Sequence, residues 1–384
     1  MKLLLVGSLC DDKWIGSLIR NLCRASDIDI DFFHIVTLDK RLSEASQLCR
    51  NVYKAKRYFP SFLYKYPKIS HFLSWVDVPL SLNRFLKDKC KEKVVYDIVN
   101  IHYPQNKVLC LWKHFDSISK TTIITPWGSE VLRISRMSQI IMAHYISKYD
   151  YVMSSDNPRF KNQLKDILNI QERKLLSCDF GSEMIDELCN STVSKDEAKE
   201  HFGIRSKYAI VCGYNGGVAQ NHLKIIEAIT QIKEKLPPKL ILVLPMTYNT
   251  SAAYLKKVEQ ALMRSQLDNI ILKEYLSISD MICLRKCADM FIHAQSTDAN
   301  SVSLAEHLLC DNVVVNAGWL RYENRETFGI PYYLFNSFDN LPDVIVEAYK
   351  GGPIVPANLK LAISAEGWNF VINKWVDIFK SVSA

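Results

Sequence analysis

Two carboxylates in the last third of the chain, Asp298 and Glu306, lie eight positions apart on either side of a loop-to-helix junction. The loop 295–300 is polar and rich in turn formers, and the stretch 302–309 repeats apolar side chains at helical spacing. The start of such a helix presents free N–H groups and the positive end of its dipole, where a phosphate can bind. A carboxylate can accept two hydrogen bonds from a vicinal diol. The spacing therefore predicts a site for a ligand with a diphosphate and a diol. Further candidate contacts at the helix start are Asn300, Ser301 and Val302.

An alternative interpretation of the same residues is structural, with Glu306 as a solvated helix residue and Asp298 as an ordinary helix cap. The residues that follow favour the ligand site. Asp311 and Asn312 break the helix, and the apolar run Val313–Val315 is typical of a strand covered on both faces.

A second loop with candidate ligand contacts follows an apolar run predicted as a buried strand, Tyr208–Cys212. Its glycines would allow backbone N–H groups to approach an anion closely, and a helix is predicted from about Asn221. The loop does not match G-x-G-x-x-G, and a glycine-rich loop alone is weak support. The candidates of this region are Gly213, Asn215, Gly216, Gly217, Asn221 and His222, with Lys273 as a cation further along the chain.

Candidate acid–base groups occur in the first half of the chain, where His102 and Glu130 each follow a predicted strand. Open α/β sheets bind ligands at the carboxyl ends of their strands, so both side chains are candidates for proton transfer. Gly128 permits a tight turn before Glu130. The alternatives are a structural histidine and a charge at a helix start.

These motifs together resemble GT-B glycosyltransferases of the family 4 type. In that family a pair of glutamates of similar spacing binds the donor, and Glu306 matches the one that contacts the ribose hydroxyls. Asp298 matches the one near the donor sugar but is one methylene shorter. The segments 96–105 and 122–133 resemble the family's histidine-containing loop and the strand and turn of its HG-S-D type motif.

The loop from Gly213 to His222 is more similar to that of bacterial 4-acetamido-4,6-dideoxygalactose (Fuc4NAc) transferases, as is the segment Leu244–Leu262. The Arg and Lys that clamp the diphosphate in family 4 are absent, since Tyr214 and Gln220 or Asn221 stand near their positions. Lys273, Arg321 and helix N–H groups are possible substitutes.

The resemblance implies an α/β fold of the GT-B type, with two Rossmann-like doubly wound domains facing a central cleft. A chain of 384 residues is long enough for two domains, and strand and helix patterns alternate as in βαβ units. Strands are predicted at 2–6, 28–36, 94–101, 108–112, 121–124 and 151–154. The expected division is an acceptor-side domain (1–180), a linker (181–206), a nucleotide-sugar domain (207–362) and a C-terminal helix (363–384) that crosses back to the first domain.

Composition describes an ordinary globular protein, with 48% hydrophobic and 23% charged residues. Eleven cysteines without a C-x-x-C pair indicate reduced thiols in a cytosolic protein. The N-terminus MKLLLVGSLC imitates a signal peptide, but its short apolar run and the acids Asp11 and Asp12 favour a first strand.

The net charge of +7 is concentrated between residues 52 and 93, where ten basic residues accompany three acids. Nine Phe, Trp and Tyr side chains lie among them, which predicts docking on an anionic membrane surface rather than on nucleic acid. Pro60, Pro67 and Pro79 are expected to divide this segment into short pieces. A solvated face over buried aromatic residues is the alternative.

The predicted function is transfer of a sugar from a nucleoside diphosphate donor to a hydroxyl of a bacterial surface glycan, with a glycan or lipid-linked acceptor at the inner face of the membrane. No cofactor is expected besides the donor substrate, and no D-x-D motif suggests a metal. Two alternatives are a nucleotide-sugar 2-epimerase and a degenerate protein that binds the sugar nucleotide without catalysis.

Overall fold

The computed structural model describes residues 1–10, 12–37, 41–298 and 300–383. Asp11, in the acidic pair after the first strand, and Ala299, in the loop 295–300, lie outside the described residues. The chain divides into two compact units, Met1–Gly181 with Trp368–Ala384 and Ser182–Gly367. We call them the first and the second domain.

The first domain contains a seven-stranded sheet of order β3-β2-β1-β4-β5-β6-β7, in which every neighbouring pair is parallel. The strands are β1 (Lys2–Gly7), β2 (Asp29–His34), β3 (Asn51–Lys54), β4 (Tyr96–His102), β5 (Ser119–Thr125), β6 (Tyr151–Ser154) and β7 (Leu175–Ser177). The helices are α1 (Ser17–Ala25), α2 (Pro67–Lys91), α3 (Asn106–Leu109), α4 (Trp112–Asp116), α5 (Ser129–Leu132), α6 (Arg136–Ile146) and α7 (Pro158–Leu168). Strands such as β1 are almost continuously apolar because helices cover both faces of a parallel sheet.

The C-terminal helix α17 (Trp368–Ser383) packs on α1 and on strands β4 and β5 of the first domain. Trp368, Ile372, Trp375 and Phe379 recur every three or four residues and are buried in the same core as Leu3 and Leu5 of β1. The spacing gives α17 one apolar face, and this core covers that face.

The second domain contains a six-stranded parallel sheet of order β10-β9-β8-β11-β12-β13. The strands are β8 (Tyr208–Cys212), β9 (Leu240–Pro245), β10 (Asp268–Leu272), β11 (Met290–His293), β12 (Val313–Ala317) and β13 (Tyr333–Phe335). The helices are α8 (Glu183–Asn190), α9 (Lys195–His201), α10 (His222–Ile232), α11 (Ala252–Ser265), α12 (Ile278–Cys287), α13 (Val302–Leu309), α14 (Glu323–Glu326), α15 (Leu341–Gly351) and α16 (Ala357–Ser364). In both sheets the strand order reverses beside the first strand, at β1/β4 and at β8/β11, which is where doubly wound sheets bind ligands.

Two predicted segments differ from the structure. The expected linker 181–206 forms α8 and α9, whose Ile185 and Ala198 are buried in the core of the second domain. The expected strand 108–112 belongs to α3 and the start of α4. A short apolar run is compatible with either a buried strand or a buried helix, so its local pattern does not decide between them.

The prolines of the basic segment do not divide it as expected, because α2 runs for 25 residues and contains Pro79. Proline inside a helix removes one hydrogen bond and costs about 3 kcal/mol. Burial of large side chains on both sides of Pro79 offsets that cost, since each fully buried Leu, Val or Phe contributes roughly 1.5–3 kcal/mol. The buried residues of this face are Leu73, Val78, Leu82, Phe85 and Leu86.

Candidate functional site

The start of α13 has the geometry expected of an anion-binding helix terminus. Ser301 is its N-cap, and the Ser301 Oγ accepts a hydrogen bond from the Leu304 N–H at 3.2 Å. The N–H groups of Val302 and Ser303 lie in the first turn, where no carbonyl of the same helix can accept from them. The helix start therefore has the N–H groups and the dipole end that bind a phosphate.

Glu306 lies on the inner side of α13 and is paired with a buried arginine. The Arg285 Nε donates to the Glu306 Oε2 at 2.6 Å, and both side chains are at least 98% buried. Arg285 also donates to the Ser303 Oγ at 2.8 Å. Among the described residues, the Glu306 Oε1 has no hydrogen-bond partner. Glu306 is therefore not a solvated helix residue, and one of its oxygens retains unused acceptor capacity.

His293 ends strand β11 and connects α13 with the loop before it. The Asn316 Nδ2 donates to the Leu320 carbonyl at 2.6 Å, which fixes the amide so that its Oδ1 faces the His293 Nδ1 at 2.9 Å. The Nδ1 must therefore carry the proton of this bond. The His293 Nε2 then faces the Ser301 Oγ at 3.4 Å and the Asp298 Oδ2 at 3.6 Å.

Asp298 lies among aromatic residues of neighbouring elements. The ring of Tyr214 stacks on His293, with 5.9 Å between the centroids and 24° between the planes. Burial, reinforced by the negative charge of Asp298, raises the pKa of the Tyr214 hydroxyl well above its usual value. Asp298 and Ser301 are therefore brought to one point by His293, a residue that the sequence did not single out.

The glycine-rich loop differs from the expected anion cradle. The N–H groups of Gly213, Gly216 and Gly217 donate to the Ile292 carbonyl (3.1 Å), the Tyr248 carbonyl (3.0 Å) and the Asn215 Oδ1 (2.8 Å). Packing explains two of the glycines: Gly213 has a φ of +66°, and a Cβ on Gly216 would lie 1.5 Å from the Thr250 Oγ1. These N–H groups are already bonded within the protein, so an anion at this loop would have to compete with those bonds.

The remaining donor-side candidates, Asn221, His222 and Asn300, each lie within hydrogen-bond distance of a group of the second domain. The Asn221 Nδ2 donates to the Ala294 carbonyl at 2.7 Å, so this loop touches the end of β11. His222 is buried, its Nδ1 lies 3.3 Å from the Tyr254 hydroxyl, and burial lowers its pKa to about 4. The Asn300 Oδ1 accepts from Arg325, whose guanidinium is also bidentate on Glu366.

The two cations proposed as substitutes for the family's clamp are both paired with carboxylates. The Lys273 Nζ lies 2.8 Å from the Glu259 Oε1, and the Arg321 guanidinium binds the Glu326 carboxylate. A phosphate at either cation would have to compete with that carboxylate.

Glu130 and His102 of the first domain are both neighbours of Trp127, Glu130 through the Trp127 N–H and His102 through its ring. Glu130 is buried in α5, its Oε1 accepts from the Trp127 N–H at 2.5 Å, and its Oε2 has no partner among the described residues. Burial raises the pKa of Glu130 to about 7, against the opposing effect of backbone N–H groups. The turn before it requires glycine, because Gly128 has a φ of +118°.

His102 ends strand β4 and is fully enclosed by rings. Neither of its nitrogens has a hydrogen-bond partner in the part of the chain that the structure describes. Its ring lies 5.8 Å from Phe180, 6.3 Å from Trp375 and 6.4 Å from Trp127, between centroids. Burial lowers the pKa of His102 to about 3, so the side chain is neutral near pH 7.

Comparison with solved structures identifies the architecture. The Anabaena protein HepE in complex with UDP is 14% identical, with a TM-score of 0.72 over 99% of this chain and 100% of that one. Sucrose-phosphate synthase from Thermosynechococcus elongatus is 10% identical, with a TM-score of 0.74 over 100% and 99%. A glycosyltransferase from Rickettsia africae is 14% identical, with a TM-score of 0.69 over 99% and 98%.

The protein has the GT-B fold. The expectation from the sequence is confirmed at this level by the two parallel sheets and by these neighbours. No protein-family model matches the sequence, and the search of curated proteins gives no match. Among the described residues, no helix is both long and apolar enough to cross a bilayer.

Within this GT-B fold, His102 and His293 occupy equivalent positions. Each ends the strand that pairs with the first strand of its sheet, β4 beside β1 and β11 beside β8. The signal that predicted His102, a histidine at the end of a buried strand, was therefore also present at His293. No comparable local signal exists for Arg285, whose partner Glu306 is 21 residues away.

Proposed function

We propose that the protein is a glycosyltransferase that moves a sugar from a nucleoside diphosphate sugar to a hydroxyl of a bacterial surface glycan, such as an O-antigen, lipopolysaccharide or capsule precursor. The observation that carries the proposal is the placement of Asp298 and Ser301 beside His293 at the start of α13, with the buried Glu306 in the second turn of the same helix. The GT-B fold supports it, as do neighbours solved in complex with UDP or UDP-glucose.

In this proposal the donor binds the second domain. The first-turn N–H groups and the dipole of α13 hold the diphosphate and stabilise the leaving group without a metal. The free oxygen of Glu306 accepts from a ribose hydroxyl, and Asp298 faces the donor sugar. The His293 Nε2 accepts from the Ser301 hydroxyl, and the Asp298 Oδ2 lies 3.6 Å from the same nitrogen.

The acceptor reacts at the first domain, where Glu130 is the base that removes a proton from its hydroxyl if the reaction inverts the anomeric centre. A pKa of about 7 keeps part of Glu130 ionised near neutral pH and matches the requirement for a general base. His102 is the second candidate, although its lowered pKa makes it the weaker base. The acceptor is lipid-linked at the inner face of the membrane, where residues 52–93 dock.

A thermal-shift screen with UDP-, TDP- and GDP-sugars tests donor binding, because a ligand that binds only the folded state raises the melting temperature. In calorimetry with the best donor, Glu306→Gln should lower affinity at least about tenfold, since a hydrogen bond to a charged group contributes roughly 1.5–3 kcal/mol. Glu347→Gln, on the exposed side of α15, is the matched control. Donor affinity that is unchanged in Glu306→Gln would contradict the assigned role.

A second candidate is a protein that binds the sugar nucleotide without transferring the sugar. Two observations favour it: Arg285 neutralises Glu306, and the glycine N–H groups of the 213–217 loop are already bonded. Donor hydrolysis in the absence of acceptor separates catalysis from binding. Conversion of the donor to its 2-epimer would indicate the nucleotide-sugar 2-epimerase instead.

A further inference from the structure

The first half of α2 is apolar on its outer side as well as on its inner side. Ile69, Phe72, Val76 and Leu80 recur at helical spacing and are 37–69% exposed. Apart from His71, the only ionisable residue between 69 and 83 is Asp77, which is fully buried. The outer face of a surface helix is normally polar, so an uncharged apolar stripe of this length marks an interaction surface.

Buried Asp77 fixes a second group of exposed rings beside this stripe. The Asp77 carboxylate accepts from the Tyr58 N–H at 3.1 Å and from the Tyr64 hydroxyl at 2.5 Å. These bonds hold the segment 58–66 against α2. The exposed aromatic residues of that segment are Tyr58, Phe59, Phe62 and Tyr66.

Helix α6 adds a third apolar group. Met137, Ile140 and Ile141 are 41–66% exposed on its outer side. The short helix α3 joins α6 to α2, because Asn106 donates to the Ser138 carbonyl and Lys107 donates to the Ser74 Oγ. The exposed apolar residues of 58–80 and 137–141 thus flank the first turn of α3, and we call them the α2–α6 surface.

The charges around this surface are of one sign. Between residues 52 and 76 there are five basic residues and no acid. Lys56, Lys65 and Lys68 are exposed. Arg57 is used inside the protein, since its Nε donates to the Thr37 carbonyl and its guanidinium lies 4.8 Å from the Tyr64 ring centroid. A face of exposed rings bordered by lysines is complementary to a layer of anionic headgroups over acyl chains.

We infer that the α2–α6 surface inserts into the interfacial layer of an anionic bilayer, with its apolar side chains below the headgroups and the lysines at the phosphates. Phe, Trp and Tyr prefer this layer, and each nearby cation adds about 1 kcal/mol of attraction to an anionic leaflet. The sequence predicted docking by the charges and aromatic rings of 52–93. The inference adds insertion of the exposed side chains of α2 and extends the surface to Met137, Ile140 and Ile141 of α6. The inference rests on the proposed lipid-linked acceptor for its role, but it is tested without sugar transfer.

Co-sedimentation with phosphatidylcholine vesicles, with and without phosphatidylglycerol, tests the inference. The protein should bind the anionic vesicles, and the combined change Phe72→Ser, Trp75→Ser and Val76→Ser should lower binding at least tenfold. The matched control is Met263→Ser with Leu361→Ser, which removes two residues of the second domain that are 79% and 74% exposed. Its binding should equal that of the unchanged protein.

Two further variants separate charge from insertion. The combined change Lys56→Glu, Lys65→Glu and Lys68→Glu should weaken binding to anionic vesicles. The binding that remains should depend less on salt concentration. Trp75→Phe should reduce the quenching of tryptophan fluorescence by brominated lipid, because Trp75 is 49% exposed on the inserted face. Urea unfolding checks that each variant folds. If the α2 variant does not fold, Met137→Ser with Ile140→Ser repeats the vesicle test on α6.

Several outcomes would overturn the inference. One is equal binding to neutral and anionic vesicles, or no binding to either. Another is binding by the α2 and α6 serine variants that equals binding by the unchanged protein. A third is a dimer in light scattering that the serine variants convert to a monomer without any vesicle binding, which would assign the surface to a second copy of the chain.

Discussion

His102 and His293 end equivalent strands of the two sheets, yet their surroundings are opposite. His293 has Asn316 on one nitrogen and Ser301 with Asp298 near the other. His102 is surrounded by aromatic rings, and neither nitrogen has a hydrogen-bond partner among the described residues. The position in the sheet places both side chains at the carboxyl end of a strand, where doubly wound sheets generally bind ligands. The flanking elements decide whether each belongs to a polar network or to a desolvated site.

The carboxylates of Glu306 and Glu130 differ in the same way, since one has polar partners and the other is mainly desolvated. Glu306 has a buried cation at 2.6 Å, so its charge is compensated inside the protein. Among the described residues Glu130 accepts from backbone N–H groups and has no cation partner, and burial raises its pKa to about 7. Glu306 therefore belongs to a formed network of charged and polar groups, whereas Glu130 is a buried carboxyl with a pKa near neutral pH. The following variants test this difference, in order of expected effect.

Arg285→Met should cause the largest loss of stability. It leaves the Glu306 carboxylate buried without its cation, and breaking a buried ion pair in this way costs about 3–5 kcal/mol. Urea unfolding measures the loss. The double variant Arg285→Met, Glu306→Leu should recover part of it, because the unpaired charge is then removed. A loss below about 1 kcal/mol for Arg285→Met, the range of a surface ion pair, would mean that the pair is not buried in solution.

Glu130→Gln should lower turnover by at least about 100-fold, because a general base contributes roughly 10²–10⁴ to the rate. Donor affinity should remain within about twofold, since Glu130 belongs to the first domain. Initial rates with acceptor and calorimetry with donor measure the two quantities. Normal turnover in both Glu130→Gln and His102→Ala would indicate a retaining reaction or a different acceptor loop.

Lowering the pH should change the free energy of unfolding in opposite directions through His102 and Glu130. The pKa of His102 is lowered to about 3, so its stabilising contribution is lost as the pH falls below its ordinary value of 6.5. The pKa of Glu130 is raised to about 7, so its contribution is present below 4.5 and is lost as the pH rises through 7. Between pH 6.5 and 4.5, His102 should lower the unfolding free energy of the unchanged protein by roughly 2–3 kcal/mol, and His102→Leu should abolish that decrease. Over the same range Glu130 should raise the unfolding free energy by a similar amount, and Glu130→Gln should abolish that increase.

Urea unfolding at pH 7, 5.5 and 4.5 measures these contributions. Other buried histidines, such as His34 and His222, titrate in the same range, so each variant is compared with the unchanged protein at the same pH. Parallel pH profiles for the unchanged protein and both variants would show that neither group is desolvated as described.

The smallest effect is expected from matched substitutions of the two histidines at pH 7. His293→Leu leaves the Asn316 Oδ1 without its donor, and an unsatisfied buried polar group costs about 1–3 kcal/mol. His102→Leu removes no side-chain hydrogen bond among the described residues and should cost at least about 1 kcal/mol less than His293→Leu. Because the steric change is the same in both, the difference in unfolding free energy isolates the polar contacts. Equal losses would remove the contrast between the two sites.

Much of this architecture follows from local pattern. The apolar runs at β8 and β12 and the cap and periodicity of α13 predict their elements almost to the residue. The segment 108–112 and Pro79 were wrongly assigned because packing against the sheet overrides a short pattern or a single proline. The carboxylate spacing predicted where ligand chemistry should occur, and those site assignments remain predictions.

The sequence by itself determined the alternation of strands and helices and the residues at the strand ends, because each depends on periodicity within a few positions. The GT-B architecture was implied by the resemblance of its motifs to a known family. Only the tertiary structure decided which buried polar groups have a hydrogen-bond or ion-pair partner. Arg285 reaches Glu306, and Asn316 reaches His293, across separations of 21 and 23 residues. In the part of the chain that the structure describes, aromatic rings lie beside His102 and no group hydrogen-bonds its nitrogens. Contacts between separate elements depend on how helices pack on the sheet, and the local pattern of residues carries no record of that packing.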